Sequence, residues 1–195
     1  MSGEGWVCLP SGVKALYLAE YNPYLILLQV GMKLFGLAGY SGSGKTTLLE
    51  QLIPVLRKLG VTLSVIKHAH HDFDIDQPGK DSYRHRQAGA QEVLVSSAQR
   101  WALMHELREV TEPSLKDHLA RLSPCDLVLI EGYKREAIPK LEIYRAANGK
   151  PLLFPQDPYI IALATDTPLT THLPCFDLND VQSLAQFILQ ETELQ

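Results

Sequence analysis

The sequence predicts a three-layer α/β domain with a mostly parallel central sheet. From residue 33 onward, short apolar segments alternate with amphipathic ones, and the segment DLVLIEG at 126–132 is apolar almost throughout. Strands that alternate with helices form parallel sheets, and a strand covered on both faces is apolar along its length. At 195 residues and 46% hydrophobic composition, the chain has the size and apolar content of one ordinary domain.

The individual elements follow from apolar periodicity and from glycine and proline positions. Two strands at 92–97 and 100–106 lie so close in sequence that we predict a β-hairpin extension. The helix at 45–59 has leucines at three- and four-residue spacing and Gly60 as its stop, with Pro54 inside it. Further strands are predicted at 33–38, 61–66, 126–132, 140–145 and 159–165, and further helices at 82–90, 113–122 and 179–190.

Residues 1–31 are predicted to be an N-terminal extension of a nucleotide-binding domain at 32–195. The regular alternation begins only after Met32, so the preceding residues are either a real extension or the result of an early start-codon assignment. Their most apolar stretch is interrupted by Glu20, Asn22 and Pro23. It is therefore predicted to be neither a signal peptide nor a membrane-spanning helix.

Composition limits the compartment and the class of partner. The formal net charge of −4 gives no bulk attraction to nucleic acid or to anionic membranes. Cys8, Cys125 and Cys175 are widely spaced and form no C-x-x-C pair, so neither a disulfide framework nor a zinc knuckle is indicated. We predict a cytoplasmic protein that binds neither nucleic acid nor membrane.

The segment GYSGSGKT at 39–46 matches the P-loop pattern G-x-x-x-x-G-K-[ST] between a predicted strand and a predicted helix. Glycines let backbone N–H groups turn inward around an anion, and the helix start adds free N–H groups and a positive dipole end. Lys45 would place its ammonium against the outer phosphates during catalysis, and Thr46 would offer its hydroxyl to Mg²⁺. The predicted nucleotide-binding residues are Gly39, Ser41, Gly42, Ser43, Gly44, Lys45, Thr46 and Thr47. The alternative is a glycine-rich turn without a ligand.

Glu131 ends the apolar strand at 126–132, followed by Gly132. An acidic residue at such a position completes many nucleoside triphosphate sites. We predict that Glu131 is catalytic, either holding Mg²⁺ through water or orienting an attacking water. The alternative is a carboxylate that only ends a strand near solvent.

Residues 67–90 contain a dense group of imidazole and carboxylate side chains. Imidazole with carboxylate suits Mg²⁺ or a transition metal, whereas a solvated loop near phosphates explains the same composition. Neither a cysteine nor a distant histidine completes a transition-metal set, and we predict Asp74 as a ligand of Mg²⁺. The group comprises His68, His70, His71, Asp72, Asp74 and Asp76.

Lys134, Lys140 and Arg145 follow the strand that ends at Glu131. Ligands of open α/β sheets bind beyond the carboxyl ends of the strands, so these cations are a possible site for a second phosphorylated ligand. Exposed basic residues are also common after strands, and this alternative stays open.

Four segments together resemble the MobB family of molybdopterin-guanine dinucleotide biosynthesis proteins, and the resemblance covers about residues 33–190. The segments are SGSGKTTLLEQLIPVL, IKHAHHDFDIDQPGKDSYRHRQAGA, SSAQRWALM and DLVLIEGYKREAIPKLEIYR. The resemblance implies a P-loop NTPase fold, GTP binding with Mg²⁺, weak GTPase activity and a homodimer. It also implies assistance to a MobA-like guanylyltransferase that joins GMP to molybdopterin.

Guanine preference rests on this resemblance, because the sequence has no N-K-x-D motif. Asp166, which ends the segment ATD, is the best positional candidate for a carboxylate that reads the base. Two other functions stay open. The first is a P-loop kinase of a small molecule, with Lys134, Lys140 and Arg145 holding the acceptor, and the second is a metallochaperone GTPase that uses the histidine-rich loop.

Overall fold

The computed structural model describes residues 31–69 and 73–194. The predicted extension at 1–31 therefore lies outside the described residues except for Gly31. Eight strands are described, β1 (Lys33–Ala38), β2 (Leu63–Lys67), β3 (Glu92–Ser96), β4 (Trp101–His105), β5 (Leu127–Glu131), β6 (Lys140–Tyr144), β7 (Ile160–Thr165) and β8 (Cys175–Asp177). The α-helices are α1 (Lys45–Lys58), α2 (Asp81–Gln87), α3 (Leu115–Leu119) and α4 (Val181–Glu191).

Six strands form one parallel sheet in the order β2-β5-β1-β6-β7-β8. This confirms the predicted α/β class with a mostly parallel sheet. Strand β1 pairs with β5 on one side and β6 on the other. The segment 39–46 that matches the P-loop pattern, called the phosphate loop below, follows β1 and therefore leaves the sheet at its centre, beside the ends of β5 and β6.

Both faces of the sheet are covered, as the continuous apolar strands require. On one face, α1 and α4 pack on a core that includes Phe35, Leu52 and Leu184. On the other face, Leu115 and Leu119 of α3 are fully buried against Val128 and Ile130 of β5 and their neighbours. The site at the carboxyl ends of the strands is thus supported by packing from both sides.

Strands β3 and β4 form the predicted hairpin, a separate antiparallel pair in which Leu94 lies opposite Leu103. Strand β8 was not predicted, because its three residues at the sheet edge are too few for a periodic pattern. Helix α1 continues through Pro54. No helix within residues 31–69 and 73–194 is both long and apolar enough to cross a bilayer.

Candidate functional site

A cavity of about 610 Å³ lies at the carboxyl ends of β1, β2 and β5. Its walls are formed by the phosphate loop, by the start of α1, and by the residues at and just after the ends of β2 and β5. The lining residues that were predicted for nucleotide binding or catalysis are Gly39, Ser41, Gly42, Gly44, Lys45, Thr46, Thr47 and Glu131, and Lys134, predicted for a second ligand, lines the cavity as well. Residues 87 positions apart in the chain, Gly44 and Glu131, therefore line one cavity.

The backbone of the phosphate loop requires glycine. Gly39, Gly42 and Gly44 have φ values of 146°, 78° and 97°. Residues with a side chain rarely adopt these positive φ values. A Cβ atom on Gly39 would lie 2.6 Å from the carbonyl oxygen of Ile143. Gly44 is the N-cap of α1, and within the described residues no side chain caps this helix start. The first N–H groups of α1 are thus available to an anion.

Lys45 extends along the phosphate loop. Its ammonium donates to the carbonyl oxygens of Gly39 at 3.0 Å and Tyr40 at 2.9 Å. Burial lowers the pKa of Lys45; the carboxylate of Glu131 raises it, and the ammonium groups of Lys134 and Lys67 lower it. Three lysines thus converge on one cavity of a chain with a net charge of −4, and a polyanion would relieve their mutual repulsion.

Glu131 is 8% exposed and ends β5 at the rim of this cavity. Lys67 pairs with it in the β2–β5 register, and the Lys67 Nζ lies 3.8 Å from a Glu131 carboxylate oxygen. Lys67 was not among the predicted site residues. The signal was nonetheless present, because parallel strands end at the same edge, so the last residue of β2 falls beside the last residue of β5.

The oxygen donors that line this cavity suit Mg²⁺ better than a transition metal. Mg²⁺ retains water and usually binds through one or two carboxylates together with substrate phosphates. The exposed Thr46 and the carboxylate of Glu131 line the same cavity, and they would provide a hydroxyl and a carboxylate beside the phosphates. Within residues 31–69 and 73–194, no group of three or more His, Cys, Asp or Glu side chains could hold a metal ion.

Asp74, the predicted Mg²⁺ ligand, lies outside the lining of the phosphate-loop cavity. Its carboxylate lies 2.6 Å from Nη2 of Arg86, which also donates to Asp76 at 2.8 Å, and Nη1 of Arg86 donates to Glu106 at 3.2 Å. These residues line a different cavity, of about 930 Å³, beneath the hairpin. Asp74 is thus committed to an ion-pair cluster that ties the loop after β2 to the end of β4.

His68 lies between the two cavities and lines both. Its Nε2 lies 2.7 Å from a carboxylate oxygen of Glu112, and its ring centroid lies 4.8 Å from that of Tyr133. His70, His71 and Asp72 lie outside the described residues. His68, the one histidine of the predicted group that lies within the described residues, is therefore engaged with a carboxylate and an aromatic ring.

The three cations predicted for a second ligand are separated by the structure. Lys140 is 2% exposed, and its ammonium donates to Asp157 at 2.8 Å and to the carbonyl of Lys134 at 3.0 Å. In this structure it is thus a buried group held by an ion pair, and its role toward a second ligand stays a prediction. Lys134 lines the phosphate-loop cavity, with its ammonium 5.7 Å from the centroid of the Tyr40 ring.

Arg145, the third of these cations, follows β6 and contacts the phosphate loop. Its Nε donates to the carbonyl of Ser43 at 3.1 Å, and its Nη1 lies 3.6 Å from Asp166. Arg145 was predicted for a second phosphorylated ligand, and the structure places it between the phosphate loop and Asp166. Ser43 itself is 2% exposed, and its hydroxyl has no hydrogen-bond partner among the described residues. Ser43, which was predicted to bind nucleotide, is absent from the cavity lining.

Asp166 follows β7 and borders a third cavity, of about 330 Å³, between the ends of β7 and β8. One of its carboxylate oxygens accepts from the N–H of Ala146 at 3.3 Å. Strand β6 lies between β1 and β7. The phosphate loop and Asp166 are therefore separated by one strand, and the residues that follow that strand touch both.

Comparison with known proteins identifies relatives over most of the chain. The family model described as "Molybdopterin guanine dinucleotide synthesis protein B" matches residues 34–166. A molybdopterin-guanine dinucleotide biosynthesis adapter protein of Escherichia coli is 44% identical, over 83% of this chain and 94% of the relative. A protein of the same description from Haemophilus influenzae is 43% identical, over 84% and 92%.

Solved structures agree with this relationship. The chain superposes on a MobB homologue from Bacillus stearothermophilus with a TM-score of 0.61 and 25% identity, over 83% of this chain and 99% of that one. For MobB of Bacillus subtilis the TM-score is 0.63 at 25% identity, over 82% and 98%. The family model covers more than half of the chain, and the first two relatives are matched over nearly their full lengths. This chain belongs to the MobB family.

Proposed function

We propose that this protein is a GTP-binding adapter in the biosynthesis of molybdopterin-guanine dinucleotide, with weak Mg²⁺-dependent GTPase activity. The observation that carries the proposal is the cavity in which the phosphate loop, Lys45, Thr46 and Glu131 converge. The names of the Escherichia coli and Haemophilus influenzae relatives support the adapter role. Its partners in this proposal are molybdopterin and a MobA-like guanylyltransferase, which the adapter assists.

The phosphate loop, the start of α1, Lys45, Thr46 and Glu131 each have a role in this proposal. The glycine loop and the start of α1 wrap the phosphates with backbone N–H groups, and Lys45 exchanges its two carbonyl partners for the outer phosphates. Thr46 supplies a hydroxyl to Mg²⁺, which would neutralise phosphate charge when bound. Glu131 orients a water molecule or holds Mg²⁺ through water. Since one carboxylate and one hydroxyl provide modest activation, we expect slow hydrolysis.

The guanine base would lie beside Asp166, on the far side of β6 from the phosphate loop. Guanine presents two neighbouring donors, its N1–H and its 2-amino group, and an ionised carboxylate accepts hydrogen bonds with both oxygens. The side chain of Asp166 is 27% exposed and borders the 330 Å³ cavity. Its position and its chemistry both support a role in choosing guanine.

The test is a change of base preference by Asp166→Asn. Xanthosine triphosphate carries a carbonyl in place of the 2-amino group of guanine. This carbonyl repels the carboxylate of aspartate but accepts a hydrogen bond from the side-chain amide of asparagine. We expect the wild type to bind Mg²⁺-GTP about tenfold or more tightly than ATP, the usual scale of hydrogen bonds to a charged group. The variant should instead prefer xanthosine triphosphate, as measured by equilibrium titration of the full chain.

Equal binding of GTP and ATP by the wild type, with no effect of Asp166→Asn, would contradict the guanine assignment. Exposed Asp81 of α2 provides a matched control, since Asp81→Asn makes the same chemical change away from both cavities. The control variant should retain the preference of the wild type. Titration repeated with a molybdopterin-bearing guanylyltransferase then tests the pathway assignment.

The two other functions considered from sequence gain no support from the described residues. A kinase acceptor site built on Lys134, Lys140 and Arg145 loses two of its three cations to structural contacts. A metallochaperone site would rest on histidines of which His68 already pairs with Glu112. Release of inorganic phosphate without a phosphorylated acceptor would distinguish the proposed function from the kinase.

A homodimer in the cytoplasm completes the proposal. The hairpin exposes Leu94, Trp101 and Leu103 by 60%, 67% and 45%, and it pairs with no strand of the main sheet among the described residues. An isolated two-stranded hairpin is marginal in water, so a second copy covering this face would stabilise it. Cys125 and Cys175 are free thiols, which agrees with a reducing compartment.

A further inference from the structure

We infer that Arg145 is a positioning residue that couples the phosphate loop to the base-reading carboxylate of Asp166. Phosphate affinity and base choice then depend on the same guanidinium group. The inference rests on the proposed function, because it assumes that phosphates bind at the loop and guanine binds at Asp166. It assigns Arg145 no direct contact with the nucleotide.

The first contact of Arg145 sets the shape of the phosphate loop. Its Nε donates to the carbonyl oxygen of Ser43 at 3.1 Å, across 102 positions of sequence. The peptide between Ser43 and Gly44 is trans and planar, so its carbonyl and its N–H point in opposite directions. Holding the carbonyl toward Arg145 therefore directs the N–H of Gly44 away from Arg145. Gly44 lines the phosphate-loop cavity.

The guanidinium also closely approaches residue 44, where the φ of 97° already favours glycine. A Cβ atom on Gly44 would lie 3.2 Å from Nε of Arg145. The turn that begins at Arg145 also reaches the loop at Gly42, where a Cβ atom would lie 3.8 Å from Oδ1 of Asn148. The turn after β6 thus supports two glycines of the phosphate loop.

The second contact of Arg145 holds Asp166. Nη1 of Arg145 lies 3.6 Å from one carboxylate oxygen, and the N–H of the next residue, Ala146, donates to the other at 3.3 Å. A carboxylate has about four acceptor positions, so these two contacts leave acceptor capacity for the two guanine donors. Both contacts come from the end of β6, which also holds the phosphate loop.

Only arginine has the geometry for this link. The guanidinium is a planar fork whose nitrogens point in fixed directions, so Nε can serve one acceptor while Nη1 faces another. A lysine ammonium is a single point charge on a flexible stem. It could hold the carbonyl of Ser43 or the carboxylate of Asp166, but not both in a fixed relation.

The experiment measures equilibrium binding of Mg²⁺ with GTP, ITP and tripolyphosphate to the full chain. ITP lacks the 2-amino group, so the ratio of GTP to ITP affinity reports the base contact, and tripolyphosphate reports the loop alone. We expect Arg145→Ala to weaken tripolyphosphate binding by about tenfold and to lower the GTP:ITP ratio toward one. Asp166→Ala should lower the ratio without changing tripolyphosphate affinity.

The double variant Arg145→Ala/Asp166→Ala tests the coupling. If Arg145 acts on base choice through Asp166, it should have no further effect on the GTP:ITP ratio once Asp166 is removed. Arg145→Lys should also lower the GTP:ITP affinity ratio toward one, because the single nitrogen of lysine cannot hold both the Ser43 carbonyl and the Asp166 carboxylate. The control is Arg57→Ala at the exposed end of α1, which should bind all three ligands as the wild type does.

Two results would overturn the inference while the proposed function stands. In the first, the wild type discriminates GTP from ITP and Arg145→Ala does so equally well. In the second, Arg145→Lys behaves as the wild type, so that charge alone suffices. A wild type that binds GTP, ITP and ATP equally would overturn both the inference and the proposed guanine recognition. Circular dichroism of each variant verifies that the fold is retained.

Discussion

Lys134 and Lys140 lie six positions apart in the chain, yet their surroundings give them different roles. Lys134 is exposed and lines the phosphate-loop cavity. The side chain of Lys140 is 3% exposed and paired with Asp157. Only the first ammonium is available to a ligand, so residue type and sequence position alone could not separate a binding residue from a structural one.

Lys140→Met should destabilise the protein. The change removes one partner of a buried ion pair, which costs roughly 3–5 kcal/mol when the remaining charge stays buried. We expect about 3 kcal/mol, the lower end, because the side chain of Asp157 is 20% exposed. Urea unfolding measures this loss, and Lys140→Met/Asp157→Asn should recover part of it. Lys134→Met is the matched control. It should leave the unfolding midpoint unchanged and weaken triphosphate binding by about tenfold.

Helix α1 forms although its sequence contains a proline, Pro54, which is unfavourable inside a helix. Leu48, Leu49, Leu52 and Leu56 are buried at helical spacing, and their packing outweighs the hydrogen bond that Pro54 removes. Pro54 itself is exposed, so it contributes little to the core. The apolar stripe therefore determines the helix, and the proline sets only a local cost.

Pro54→Ala should stabilise the protein. Alanine restores the N–H that donates to the carbonyl of Glu50, and proline is about 3 kcal/mol less favourable than alanine inside a helix. Proline also restricts the unfolded chain, which offsets part of this gain, so we expect about 1–2 kcal/mol. Gln51→Ala, on the exposed side of the same helix, should change the free energy of unfolding little. An unchanged midpoint for Pro54→Ala would show that water already satisfies the Glu50 carbonyl.

At the scale of the whole molecule, the described chain consists of a covered parallel sheet and an exposed hairpin. The face of the hairpin formed by Leu94, Trp101 and Leu103 is contiguous, because Leu94 pairs with Leu103 and Ser96 pairs with Trp101. Side chains at alternate positions share a face. A contiguous apolar face on a two-stranded sheet favours an interface, which is why we place the proposed homodimer there.

Leu103→Asp should convert the proposed homodimer into a monomer. A carboxylate at the centre of this face would be desolvated without a partner in the interface. Sedimentation velocity should show a monomer for this variant and a dimer for the wild type. Leu59→Asp is the control, because Leu59 is 53% exposed at the end of α1. A Leu103→Asp protein that remains dimeric would move the interface to another surface.

The sequence by itself determined the elements whose signals are local. Apolar periodicity specified α1 and the covered strand β5, and the glycine spacing specified the loop from Gly39 to Thr46, because each depends on residues a few positions apart. Glu131 was also predictable, since a strand-ending carboxylate beside a P-loop strand is a recurrent arrangement. Its position on the phosphate-loop cavity agrees with that reasoning.

Only the tertiary structure decided which partners the remaining charges found. Asp74 pairs with Arg86, Lys140 pairs with Asp157, and Arg145 reaches Ser43 across 102 positions. Hydrogen bonds form only at short distances, so such contacts depend on the strand order and on the path of the loops. A local sequence pattern predicts neither of these. The order β5-β1-β6-β7 places one guanidinium between the phosphate loop and Asp166, because parallel strands bring their carboxyl ends to a common edge.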